Sequence, residues 1–185
     1  MAEARSVWAR RFIFAALVQG LILFVITAVL LYIDAAAFLG LPGGDLVTPA
    51  AVVAEGSAGT WFTVGYFGYL IVPILGSGVS ALFYREIEVA MNLPYTGWQR
   101  WLAWGHLILG NVALGAGLGL MMYGGYFGGA LMVPTTLGGQ GQSSYYVHTH
   151  VLGGLAEPIS ILFMLGLLGP LLGGLGYGLK FREAA

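Results

Sequence analysis

Residues 12–33 read FIFAALVQGLILFVITAVLLYI, a run without a single charged side chain in which the Gln19 amide is the most polar group. A helix of that length extends about 33 Å, enough to cross the ~30 Å hydrocarbon core of a bilayer. Three further runs qualify on the same ground: Trp61 to Tyr84, Trp101 to Tyr123, and roughly Val147 to Leu179. The sequence therefore predicts an all-α integral membrane protein, a four-transmembrane-helix bundle forming one domain over residues 1–185. The first run resembles a signal peptide in having basic residues before it and Ala35-Ala36-Ala37 after it, but it exceeds the ~7–15 apolar residues of a signal h-region. An uncleaved anchor is expected.

Composition agrees. Of 185 residues, 58% are hydrophobic and 8% charged, with a mean hydropathy of +0.86. Soluble domains carry about 25% charged residues, so this chain could not coat a water-facing surface. With no cysteine, it has no disulfide, iron–sulfur cluster, thiolate zinc site, covalently attached c-type haem or cysteine nucleophile. Any metal must be held by His, carboxylate or amide. A net charge of −1 leaves no basic footprint for nucleic acid.

The seven basic residues test the topology, because cytoplasmic flanks collect positive charge. Arg5, Arg10 and Arg11 precede helix 1, Arg85 and Arg100 bracket the connection between helices 2 and 3, and Lys180 and Arg182 follow helix 4. All fall on one side, which predicts both termini in the cytoplasm, two long outer loops (Asp34 to Thr60 and Gly124 to Tyr146), and a prokaryotic inner membrane as the location. The second loop carries Tyr126, Phe127, Leu131, Met132, Val133 and Leu137, so it is expected to pack on the membrane surface or on a partner subunit. Pro158 and Pro170 lie inside helix 4, where each removes a backbone hydrogen bond and favours a kink.

Glycines cluster at Gly115-x-x-x-Gly119 and at Gly169, Gly173, Gly174, Gly176 and Gly178, where close helix packing is expected. Trp61, Trp98, Trp101, Trp104, Tyr145 and Tyr146 fall at expected interfaces as an anchoring belt, with quinone stacking as the alternative.

Polar groups inside the spans are few, and each costs several kcal/mol (about 2.5–3.5 for a charge). They are Gln19, His106, Asn111, His148, His150 and Glu157, beside the hydroxyls of Tyr66, Tyr69, Ser77 and Ser80. Imidazole is the commonest metal ligand and the usual axial ligand of b-type haem. His106 has Gly110 one turn on, which leaves open space for a porphyrin edge; the alternative is a histidine hydrogen-bonded within the bundle, with Glu157 as an available partner. His148 and His150 open helix 4. In a helix, residues two apart point about 200° away from each other and cannot share a metal unaided. In an extended segment both face one way, which would suit an outer copper or other metal site. His150, Gly153, Gly154 and Glu157 form one helical stripe with bare backbone between imidazole and carboxylate, the most cofactor-shaped surface in the chain. At ~1.5 Å per residue His106 lies roughly 8 Å above the inner edge and His150 near the outer one, so one haem bridging them is disfavoured.

The run Val147-His148-Thr149-His150-Val151-Leu152-Gly153-Gly154 resembles the helix-start histidine motif of the haem–copper oxidase and nitric oxide reductase superfamily, where such a histidine ligates low-spin haem b. Trp104-Gly105-His106-Leu107 through Asn111 is similar to histidine-bearing helices in small membrane relatives of that group. The twelve-helix length, the His-Pro-Glu-Val-Tyr copper segment and a paired ligand on a later helix are missing. The resemblance thus implies a haem-carrying subunit, not oxygen or nitric oxide reduction by this chain alone. Three readings stand: a b-type haem subunit passing electrons between quinol and a partner, with His106, His148, His150 and Glu157 as cofactor-binding candidates; a non-catalytic subunit of a larger membrane complex; and an outer metal site on the histidines.

Overall fold

The computed structural model describes residues 5–184. Four long helices carry the apolar runs: α1 (Val7–Leu39), α3 (Ala58–Ala90), α4 (Gln99–Met132) and α5 (Ser144–Glu183), each long and apolar enough to cross a membrane. A short helix, α2 (Pro49–Glu55), sits in the first connection, and no strand occurs among the described residues.

The helices outrun the apolar segments that announce them, because hydropathy marks the part in oil whereas a helix continues until its backbone is stopped. Helix α1 continues through the three alanines and ends against Gly40, whose φ of +65° belongs to the left-handed region a helix cap uses. The segment Tyr123 to Met132, expected within the second outer loop, is instead the last part of α4, which stops just ahead of Pro134. Its glycines weaken a helix in water. In lipid, however, backbone groups must pair internally, which outweighs propensity.

The prolines behave differently from one another for a reason visible in sequence. Pro73 falls in a widened turn of α3 (Leu70–Leu75), where the residue four positions back is Tyr69. Pro158 and Pro170 lie within a continuous helical stretch (Gly153–Ala184), and the residues four back are Gly154 and Gly166. A proline ring presses on that carbonyl. A glycine there, without a side chain, lets the carbonyl tilt aside within the helix, whereas α3 opens its turn instead. Helix 4 accordingly does not end at either proline.

The chain divides into two compact units, each taking a segment from all four long helices. The first (residues 1–20, 70–115 and 162–185) contains every Lys and Arg of the sequence. Its core gathers Trp8, Phe12, Ala81, Tyr84, Ile87, Tyr95 and Ala103. Trp8 meets Trp104 edge-on at 5.3 Å, and Phe12 stacks on Tyr84 at 5.0 Å. The Glu88 carboxylate accepts from the Ser6 hydroxyl and from the Trp8 amide (3.1 Å), stapling the start of α1 to the end of α3. Lys180 is buried, its Nζ 2.7 Å from Glu183, while the Gln99 amide donates to the other Glu183 oxygen at 2.6 Å. Burial pushes the Tyr95 phenol well above its ordinary value, with Tyr177, Glu88 and Glu183 adding to the effect, so it stays neutral.

The second unit (residues 21–69 and 116–161) holds both connections. Thr48 caps α2 by accepting from the Ala51 amide at 3.2 Å, with Pro49 in the first turn, where its missing N–H costs nothing. The second connection folds back on the end of α4 through Gly141 N–H to Val133 O and Gln142 N–H to Leu131 O, both 2.9 Å. Tyr126 donates to the Val47 carbonyl at 2.7 Å, tying α4 to the first connection. Tyr126→Phe should lower stability by about 1 kcal/mol, a 2–4 °C fall in melting temperature in detergent, with helix content unchanged.

Packing glycines match the set the sequence suggests in part. In the first unit Gly166, Gly169, Gly173 and Gly176, spaced i, i+3, i+7 and i+10, turn to α4 residues Leu114, Gly110, His106 and Leu102. Gly174 and Gly178 face open space, as does Gly119. Only half of the Gly115/Gly119 pair is in contact, since Gly115 lies against the Gln19 side chain.

Candidate functional site

His106 is buried in the first unit within α4. Its ring packs against Phe12 at 4.7 Å, Tyr84 at 5.9 Å and Tyr177 at 6.0 Å, and a side chain at Gly173 would overlap it. Ser80 Oγ lies 3.4 Å from Nε2 and Tyr84 Oη 3.3 Å from Nδ1. The tautomer follows from a count of hydrogens. Ser80 commits its one proton to the Gly76 carbonyl at 2.8 Å, so it can only accept from the imidazole. Nε2 is therefore placed to donate to Ser80, and Nδ1 faces the Tyr84 hydroxyl, which also has Tyr177 as a hydrogen-bond partner. Both contacts are long, so packing more than hydrogen bonding positions the ring. Each nitrogen thus faces a hydroxyl inside the unit, and the ring is enclosed by Phe12, Tyr84, Tyr177 and Gly173.

Asn111 sits in a widened turn of α4 (Leu109–Ala113), a feature that frees backbone carbonyls for outside partners. Its Nδ2 donates to Leu107 O at 3.0 Å, its Oδ1 accepts from Ser77 at 2.8 Å, and its own carbonyl accepts from Gln19 Nε2 at 3.2 Å. Three spans thus meet on one amide. Ser77, Ser80 and Tyr84 recur at i, i+3 and i+7 of α3, a spacing that marks one polar face; Ser77 and Ser80 were legible as span hydroxyls, but Tyr84 reads from sequence as a span end.

His148 and His150 belong to the second unit and lie in a widened helical turn (His148–Leu152) that follows a turn of α-helix capped by Ser143. Since the segment is helical, the two rings diverge instead of facing one way. Each ring is tied to the carbonyl four residues back: His148 Nδ1 to Ser144 O at 2.8 Å, and His150 Nδ1 to Tyr146 O at 3.1 Å. A carbonyl can only accept, so His148 Nδ1 carries the hydrogen and its Nε2 presents a lone pair; His150 Nδ1 lies nearer to Thr149 Oγ1, at 2.7 Å, and because that hydroxyl gives its proton to the Tyr145 carbonyl it accepts from the ring, which puts His150 in the same tautomer. That is the tautomer a metal-binding imidazole needs, with the orienting partner already in place. Tyr146 stacks on the His150 ring at 4.6 Å.

The stripe His150, Gly153, Gly154 and Glu157 is exposed along its whole length. Gly154 has nothing within 4 Å of where a side chain would start. Glu157 belongs to the second unit and does not partner His106, whose polar neighbours are Ser80 and Tyr84. Among the described residues no three His, Asp or Glu side chains gather into a metal-binding group.

His150 therefore fits one axial bond to a haem iron or one position on a metal ion, and the described residues supply no second protein ligand beside it. His106 as arranged does not fit that role. Compared with protein-family models, curated proteins and solved structures, the chain matches none, so its chemistry rests on these residues.

Proposed function

We propose that the chain is a b-type haem-binding subunit of a larger respiratory membrane complex, with His150 giving one axial ligand and a neighbouring subunit completing the site. Haem would supply reversible one-electron chemistry. The chain would hold it at the exposed stripe and exchange electrons with a quinol pool. The observation that carries this reading is the setting of His150, whose Nδ1 is held by Thr149 Oγ1 and the Tyr146 carbonyl while Nε2 keeps a lone pair on an exposed ring. The grouping of all seven basic residues in one unit supports cytoplasmic termini in a prokaryotic inner membrane. His148, held the same way, is a second imidazole for haem or copper on its own face.

The complex isolated in mild detergent should show a Soret band and a reducible α band. His150→Ala should remove most of the bound haem, and His106→Ala should leave it. A colourless preparation that stays colourless after haemin addition, or a His150→Ala spectrum identical to the parent, overturns the assignment.

One observation favours a non-catalytic subunit instead: a shallow groove of about 470 Å³ runs over Pro170, Gly174 and Gly178, bare helix surface suited to another span. Gly174→Leu releasing a colourless partner chain would support that reading.

A further inference from the structure

In the first unit a groove of about 730 Å³ lies between the start of α1 and α4. Arg5, Arg10 and Arg11 stand at its mouth, Ala15, Val18 and Ile108 form its walls, and Gln19 and Asn111 close its far end. The volume is that of a small-molecule site. From Arg10 to Gln19 is nine residues of helix, about 13 Å at ~1.5 Å per residue, close to one leaflet of the ~30 Å hydrocarbon core. The groove thus has a charged head end and an apolar arm one leaflet long.

Among the described residues the one ion pair is Lys180 with Glu183, so Arg5, Arg10 and Arg11 make no direct pair with a described carboxylate. Glu88 accepts from Ser6 and the Trp8 amide and lines a separate groove on the other side of Arg11, leaving Arg5 and Arg10 as the exposed cations at the mouth. Arg11 is half-buried, its guanidinium 4.5 Å from the ring centroids of both Trp8 and Trp104. Two indole faces hold that cation in place and leave its edge for an oxygen anion. Arg5 and Arg10 are exposed beside it.

We infer that this groove binds one anionic phospholipid, its phosphate among Arg5, Arg10 and Arg11 and one acyl chain against Ala15, Val18 and Ile108. Basic pockets between spans select anionic head groups, whereas a neutral quinone would leave the arginines unpaired. No histidine lines the groove, so the site is separate from haem ligation and stands or falls independently of it.

Native mass spectrometry of the delipidated full chain, titrated with dioleoyl phosphatidylglycerol or dioleoyl phosphatidylcholine, tests this. The glycerol lipid should bind as a single tight adduct and the choline lipid at least tenfold more weakly. At about fivefold per basic residue, Arg5→Gln with Arg10→Gln should weaken phosphatidylglycerol about 30-fold. Arg85→Gln with Arg182→Gln removes the same charge outside the groove and should change binding less than threefold. Ala15→Trp, which fills the apolar arm and keeps every arginine, should weaken it about tenfold. Equal losses in the two double variants would reduce the effect to a diffuse surface field and overturn the site. So would binding unchanged by Ala15→Trp, or equal binding of the two lipids.

Discussion

Gly125→Val is expected to be among the most damaging single substitutions in the chain. A Cβ at Gly125 would overlap the backbone nitrogen of Phe62, with the Phe62 Cα at 2.6 Å and the Trp61 carbonyl carbon at 2.7 Å. Every one of these atoms is main chain or bonded to it, so no side-chain rotation relieves the clash. The helices of the second unit would have to separate there, and the neighbouring contact of Gly129 with Val52 would loosen with them. Overpacking costs about 1–3 kcal/mol when neighbours can adjust. Backbone cannot, so at least about 3 kcal/mol is expected, a fall of roughly 6–12 °C in melting temperature. Gly119→Ala, at a glycine with nothing within 4 Å, should instead be neutral or stabilising by up to about 1 kcal/mol through helix propensity. Thermal unfolding of the two variants in one detergent decides the matter. A Gly125→Val protein as stable as the parent would mean the two helices do not approach as described.

His106→Ala comes second. It removes a ring packed among Phe12, Tyr84, Tyr177 and Gly173, and it removes one partner of the Tyr84 hydroxyl. In a soluble core, truncating a large ring costs about 3–5 kcal/mol, part of which is transfer from water. Unfolded spans remain in lipid, so that part shrinks, leaving lost packing and one lost contact of the Tyr84 phenol. About 2 kcal/mol remains, or 4–8 °C in melting temperature. Because Nε2 and Nδ1 are both engaged inside the unit, the loss should appear in stability and leave the haem spectrum in place. A bleached His106→Ala protein with unaltered melting would reverse the roles assigned to His106 and His150.

Legibility followed the type of force. Runs such as residues 12–33 needed only length and hydropathy, because the bilayer acts on every residue of a span alike. The diverging His148 and His150 rings also followed from periodicity once the segment was known to be helical. The identity of His106's partners did not. Glu157 was the carboxylate at hand in one dimension, yet Ser80 and Tyr84 occupy both nitrogens, since a hydroxyl face on α3 satisfies an imidazole without burying a charge. Likewise the arginines of α1 read as topology markers, and only the approach of α1 to α4 places Arg11 between Trp8 and Trp104 with an apolar groove below.

By itself, then, the sequence determined the number of spans, the segregation of basic residues and the short list of polar groups held in oil. These depend on composition and on periods of a few residues. Which glycines touch, which proline opens a turn into a wider one, which tautomer each histidine adopts and where a cavity remains were decided by the tertiary structure. Each depends on an atom from a distant part of the chain arriving within about 4 Å, the range over which packing and hydrogen bonding act.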